Sequence, residues 1–306
     1  MFFNTQESSG LRRLSSKISC YASLLLVVGL LLSLAAVKGT AEEDVAAFMA
    51  TMDNASATLR YPAWTTAEKF GAQVIVPLGE RMEAADRSKF QDLKRAIERI
   101  VHNVGRPGAD ADRKAVAAEM CKLLVPDRSA KVKNEILDLL ACIADDSNLA
   151  AMEPLLSDAA VREEACRAIQ RVPGRAATEL LEKHLEKAPA DFQGRLLAAL
   201  GQRQDKSAGP ALEKFIGSAK GELKLEALIA MSKTGARPPR QMRRHLEAVS
   251  SVSNDVVRAN IRLRFADNLA AMGEKERAQR IYESLAKSDV GEHIQLAAQA
   301  GLEKLK

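Results

Sequence analysis

Apolar residues recur along this chain at positions i, i+4 and i+8, usually with a small or apolar residue at i+7. At about 100° per residue these positions share one helix face. The pattern appears as Leu93/Ile97/Val101, Val132/Ile136/Leu140, Val161/Ala165/Ile169 and Phe192/Leu196/Leu200. It continues as Leu223/Ala227/Met231, Val257/Ile261/Phe265 and Ile294/Ala298/Leu302, with starts 29 to 39 residues apart. Ala168, Ala199, Ala230 and Gly301 occupy i+7 positions, where a small side chain lets neighbouring helices approach closely. Polar and charged residues fill the remaining positions, so seven amphipathic helices are predicted.

Each of these helices is followed by a break, among them DDSN, RVPG, RQDKSAG, KTGARPP and MGEK. Gly, Pro and Asp in such runs end one helix and cap the next. A second apolar series follows each break: Leu149/Met152/Leu156, Leu181/Leu185, Leu212/Phe215/Ile216, Met242/Leu246/Val249 and Ile281/Leu285. The unit is therefore a helical hairpin of about thirty residues, written six times with a closing half. One hairpin cannot bury its own apolar face, whereas a stack of them shares a continuous core. The expected fold is all-α, an α-solenoid whose stacked hairpins wind into a right-handed superhelix.

The stretch LLSDAAVREEACRAI, with Asp158, then Val161-Arg162, then Ala165, resembles the HEAT repeats of the phycobilisome-lyase-like type. SNDVVRANI repeats the element at Asp255, Val257 and Arg258. Residues 149–236 look like the HEAT arrays of exported bacterial proteins, and the resemblance extends over about 90–306. It implies binding or scaffolding rather than one activity. The last unit departs from it. Phe265-Ala266, Leu269, Gly273, Ala278, Tyr282 and Leu285 match a tetratricopeptide spacing, and Arg264 occupies the i+7 position. A tetratricopeptide array is the alternative for the whole chain, disfavoured because the other units lack the Gly and Tyr markers. The expected organisation is 1–41 as signal peptide or signal anchor and 42–88 as an N-terminal cap or spacer. HEAT-like repeats follow over 89–253, then a tetratricopeptide-like hairpin and closing helix over 254–306. Within the cap, Tyr61 and Trp64 are the expected packing anchors.

Composition agrees with helices. Of 306 residues, 47% are apolar and only 4% aromatic, which disfavours sheets, because strands favour β-branched and aromatic side chains. A pI near 9.0 suggests a polyanion partner until the charge is located. Arg12, Arg13, Lys17 and Lys38 lie in 1–41 against Glu7, leaving 42–306 a net charge of only +2. The basic leader precedes an apolar run from Ala22 to Val37 and small residues Gly39 and Ala41, the order of a secretory signal. Cleavage near Glu42 is expected; residues 18–37 are also long enough for an uncleaved anchor. Either reading exports the body to the periplasm or cell envelope. Cys121, Cys142 and Cys166 show no metal-ligand spacing. Cys142 and Cys166 are expected as small buried hydrophobes, and one disulfide among the three remains open.

No phosphate loop, H-E-x-x-H or G-x-S-x-G is present, and His102, His184, His245 and His293 fall in different units. No cofactor, metal or catalytic residue is predicted. Asp145-Asp146 and Glu163-Glu164 occupy a turn and a polar helix face, places for capping and solvation. The most distinctive local feature is 233–264, with a net charge of +6. Its candidate residues for an anionic partner are Arg237, Arg240, Arg243, Arg244, Arg258, Arg262 and Arg264. Arg258 and Arg262 are one turn apart and are expected side by side. The segment suits an acidic protein surface, an anionic polysaccharide or a lipid headgroup; it also reads as a solvated, salt-bridged helix pair. Nucleic acid is disfavoured, since no aromatic residues interleave with the arginines. The primary expectation is a non-catalytic scaffold presenting its surface to a protein partner. Binding of an anionic ligand through 233–264 comes second, and an enzyme assembled across repeats third. The membrane enters only through the N-terminal segment.

Overall fold

A computed structural model describes residues 42–306, so the leader, its apolar run and Cys20 lie outside the described residues. Sixteen helices carry these residues, joined by turns and short 3-10 segments, with no strand among them. Helix α1 covers 42–52. It is followed by α2 (Ala57–Trp64), α3 (Ile75–Met82), α4 (Arg87–Val104), α5 (Asp110–Cys121) and α6 (Ala130–Leu140). Then come α7 (Leu149–Met152), α8 (Arg162–Arg171), α9 (Arg175–Leu185), α10 (Ala190–Arg203) and α11 (Gly209–Ser218). The chain ends with α12 (Gly221–Lys233), α13 (Met242–Glu247), α14 (Asp255–Ala271), α15 (Lys275–Ala286) and α16 (Glu292–Leu305).

The repeated triplets define one row. Helix α4 packs on α6, α6 on α8, α8 on α10, α10 on α12, α12 on α14 and α14 on α16. Every triplet residue is buried except Leu223, Val257 and Leu302, which are half-buried and packed against the core. Fully burying a side chain of this kind is worth about 1.5–3 kcal/mol, so the row is the main source of cohesion. Two of the small i+7 residues, Ala230 and Gly301, sit at close helix contacts. A β-carbon on Gly201 would lie 2.9 Å from the Ala230 Cα, and one on Gly301 would meet the Tyr282 ring. The fold is an all-α solenoid.

Helix starts follow from local chemistry. Asp86, Ser129 and Asn254 accept hydrogen bonds from the backbone N–H groups of Lys89, Val132 and Val257, satisfying donors that a helix leaves unpaired. Between α8 and α9 the turn needs Gly174, whose φ is +87°. Polar groups then fasten one unit to the next. Arg203 of α10 donates to the carbonyls of Ile169, Gln170 and Val172 at the end of α8, and to Thr178 Oγ1 of α9. Lys94 pairs with Glu135, and Lys133 with Asp158.

Two second-layer elements are shorter than their sequence pattern suggests. Leu149, Met152 and Leu156 are buried, but α7 is a single turn between 3-10 segments, the latter beginning at Glu153-Pro154. Helix α13 is six residues long. Pro238-Pro239 and the left-handed Gln241 (φ 57°) delay its start, because consecutive prolines remove backbone donors. The buried side chains form two clusters that meet along α14. One runs from Phe48 to Phe265; the other joins Ala259, Ala266, Leu269, Ala278, Tyr282, Leu285, Ile294 and Ala298.

Two expectations are corrected. Tyr61 is not a packing anchor: it is 60% exposed and stacks edge-to-face on the half-buried Trp64 at the surface. The residues that α2 turns inward are Arg60 and Ala63. Arg60 tolerates burial because its guanidinium reaches Asp92, Ser88 and the carbonyls of Asn54 and Ala55. Cys142 is exposed rather than buried, since α6 ends at Leu140 and the following turn carries it outward. Cys166 is buried as expected, and all three described cysteines are free thiols.

Candidate functional site

The short α13 leaves a space between itself and α15, above α14. A cavity of about 960 Å³ is lined there by Met242, Arg243, Leu246, Glu247, Ser250, Asp255, Arg258, Ala259, Arg262, Arg280, Ile281, Ser284 and Val290. A second, of about 640 Å³, lies toward the proline turn and includes Glu213, Arg237, Arg240, Leu269 and Arg277. Both share Met242, Arg280 and Ile281, so they read as two lobes of one groove. Leu246, Leu269 and Ala259 are buried in its floor, with Met242, Ile281 and Val290 half-buried beside them.

The seven arginines singled out from sequence do not form one cluster. Arg237 and Arg240 line the proximal lobe, while Arg243, Arg258 and Arg262 line the distal one. Arg258 and Arg262 do share a face of α14. Arg264 lies on the opposite side of that helix and shares a smaller cavity with Lys233 and Ile229. Arg244 also lies outside the groove, bonded to Gln241 and close to Lys224 and His245. Sequence reading missed Arg277 and Arg280, which α15 brings back over the segment it follows. Their spacing with Ser284 places them along one polar stripe of α15, which was the available signal.

Several of these cations are already engaged. Arg237 pairs with Glu274 at 3.0 Å, and Arg277 with the same carboxylate. Arg243 pairs with Glu247 at 2.9 Å while remaining 92% exposed. Arg258 serves the start of α14, donating to the Ser253 carbonyl and to Asp255. The Arg240 backbone N–H donates to Glu213 at 2.7 Å, but its side chain has no carboxylate partner among the described residues. Arg280 likewise has none, and Arg262 donates only to Ser284 Oγ at 2.8 Å. Burial depresses the basicity of Arg262, a sign of the hydration it gives up. Three guanidiniums thus stand around an apolar floor without an ion pair among the described residues.

No histidine, cysteine or lysine lines either lobe. Guanidinium remains protonated and cannot act as a general base, so the arginines are suited to holding anions; Glu213, Glu247 and Asp255 are the carboxylates that share the lining. Elsewhere, no group of three or more potential metal ligands occurs among the described residues. The histidines sit apart on α4, α9, α13 and α16. Among the described residues no helix is long and apolar enough to cross a membrane.

No protein-family model matches this chain, and no curated protein does. Solved structures similar to it include an engineered protein at 18% identity and TM-score 0.40, covering 84% of this chain and 77% of the other. Another is a computationally designed armadillo repeat protein for modular peptide recognition, at 17% identity and TM-score 0.33, covering 75% and 98%. A third is the complex of CpcE and CpcF of phycocyanin lyase from Nostoc sp. PCC7120, at 16% identity and TM-score 0.34, covering 85% and 93%. At these TM-scores the likenesses carry no weight for function, which rests on this chain's own surface.

Proposed function

We propose that the protein is a non-catalytic protein-interaction scaffold of the cell envelope, with the groove between α13 and α15 as its principal docking site. The observation that carries this reading is the set of three guanidiniums without an ion pair, Arg240, Arg262 and Arg280, around an apolar floor. A stacked-hairpin body supports such a role because it holds a long surface rigid while burying its cohesion in one row of helices. The arginine-rich lining favours holding an anionic partner, since guanidiniums bind carboxylates but do not take up protons. Export is part of the proposal and rests on the charged, then apolar, then small-residue order of 1–41. The tetratricopeptide-like reading of 254–306 is kept within the proposal as well.

A photo-crosslinking amino acid placed at Met242 or Ser284 in living cells tests the docking site, with Ala198 on the exposed side of α10 as comparison. Covalent adducts with a protein from Met242 and Ser284 are expected. Adducts only with lipid or glycan, or none from any position, would overturn the scaffold reading. Amino-terminal sequencing of the fractionated protein tests export, with a mature end near Glu42 or retention in the inner membrane expected. Recovery of the uncleaved chain from the cytosol would refute it.

A further inference from the structure

We propose that the groove receives an extended acidic segment of a partner protein, its carboxylates on Arg240, Arg280 and Arg262 and an apolar side chain on Met242, Leu246 and Ile281. This rests on the scaffold reading and specifies the partner's chemistry. The charge count comes first. Seven arginines line the two lobes against Glu213, Glu247 and Asp255, a local net of +4. Glu247 and Asp255 occupy Arg243 and Arg258, the adjoining Glu274 occupies Arg237 and Arg277, and Glu213 is held by the Arg240 backbone N–H, so the guanidiniums of Arg240, Arg262 and Arg280 are the ones without an ion pair. Those three are also ordered. Arg240 borders only the proximal lobe, Arg280 both, and Arg262 only the distal one. A linear ligand with repeated negative charge meets them in sequence, whereas a single compact anion meets one or two.

Burial separates the candidate anions further. Arg262 is half-buried and tied to α15 through Ser284. A guanidinium that has given up water gains most from a carboxylate that binds it through paired N–H donors. The floor beneath it is apolar, and a hydroxylated sugar chain or a headgroup leaves that floor without a matching surface. A peptide supplies both parts: carboxylates for the rim and a leucine- or phenylalanine-sized side chain for the floor, as in interfaces where an apolar anchor is ringed by polar contacts. Exposed Arg280 is shared by the two lobes and free of internal bonds, so it is the residue whose reversal should cost most in binding and least in folding.

The test is fluorescence anisotropy with the full-length protein and a labelled peptide alternating glutamate with leucine. Controls are peptides with serine for leucine or lysine for glutamate, a heparin fragment, and phosphatidylglycerol vesicles. Binding of the glutamate–leucine peptide is expected, weakening steeply with salt and failing for the lysine version. Arg280→Glu and Arg262→Gln should each weaken it by roughly tenfold or more. Arg264→Glu, on the other side of α14, should leave it unchanged. Ile281→Ser should reduce it only for the leucine-containing peptide. Unchanged thermal melting identifies folded variants, and Arg280→Glu, which touches no internal partner, keeps the test open if Arg262→Gln unfolds. The inference is overturned if the serine and leucine peptides bind alike, or if Arg264→Glu matches Arg280→Glu. It is also overturned if heparin or vesicles bind through Arg280 while the peptide does not. Protein adducts at Met242 without peptide binding would defeat this inference alone; the absence of any protein adduct would defeat the scaffold reading beneath it.

Discussion

Arg60 Nε lies 2.9 Å from Asp92 Oδ2, and both side chains are buried, at 1% and 7% exposure. The pair joins α2 to α4, so the N-terminal cap is fixed to the first repeat by charge as well as by apolar contact. Both ions were removed from water, and each is tolerable only while the other remains. Asp92→Ala is therefore expected to lower unfolding free energy by about 3–5 kcal/mol, the range for an orphaned buried charge. Urea denaturation measures it. A loss below about 1 kcal/mol would show that the pair behaves as an exposed one.

Close approach of α10 and α12 gives a second test. A β-carbon on Gly201 would sit 2.9 Å from the Ala230 Cα, which is backbone and cannot rotate aside. Ala normally favours a helix over Gly by about 1 kcal/mol, but here the row must spread to admit it. Gly201→Ala should be destabilising, and Gly201→Leu more so, by about 1–3 kcal/mol. A raised melting temperature for Gly201→Ala would contradict the packing described.

The three described thiols should differ in accessibility. Cys142 is exposed, Cys121 half-buried and Cys166 buried. Burial pushes the Cys166 thiol up to about 12, and also raises Cys121, whose sulfur accepts from Asn148. The thiolate is the reactive form. Alkylation near neutral pH, located by mass spectrometry, should mark Cys142 first, Cys121 slowly and Cys166 only after unfolding. Early labelling of Cys166 would mean that α8 and α10 part readily.

Stability near α13 should depend on pH through His245. Burial, then the neighbouring Lys224 and Arg244, hold its imidazole below the ordinary 6.5; the Arg240 carbonyl and Glu213 act in the opposite direction. The unfolded chain therefore binds this proton more readily than the folded one. The contribution is present above about pH 6.5 and is lost as pH falls through the lower folded value. Denaturation midpoints should decline as pH falls below about 6.5, with a smaller decline in His245→Gln. An unchanged slope in that variant would remove His245 from the account.

Much of the stack was legible because a helix face repeats every few residues and the triplets needed no partner to be seen. Ile97, Ile136, Ile169 and Leu200 are buried as their spacing predicts. Features that depend on contacts distant in sequence were not legible. Nothing in the sequence around Arg60 marks it for burial, because the countercharge that permits it, Asp92, lies 32 residues away. Cys142 lies in an apolar-looking run, but α6 stops before it. The arginine segment was visible as a charge density, yet a linear count cannot say which side of α14 each side chain occupies. It placed Arg264 with Arg262 and left out Arg280, because only the α14–α15 hairpin brings the latter back to the groove.

Hydrogen–deuterium exchange of the full-length protein, with and without the glutamate–leucine peptide, measures most directly where a partner sits. Slower exchange is expected in 237–247, in the first turns of α14 and in 277–284, with α8 and α10 unchanged. Protection spread along α4 to α12, with none in α13 or α15, would contradict the assignment of the groove.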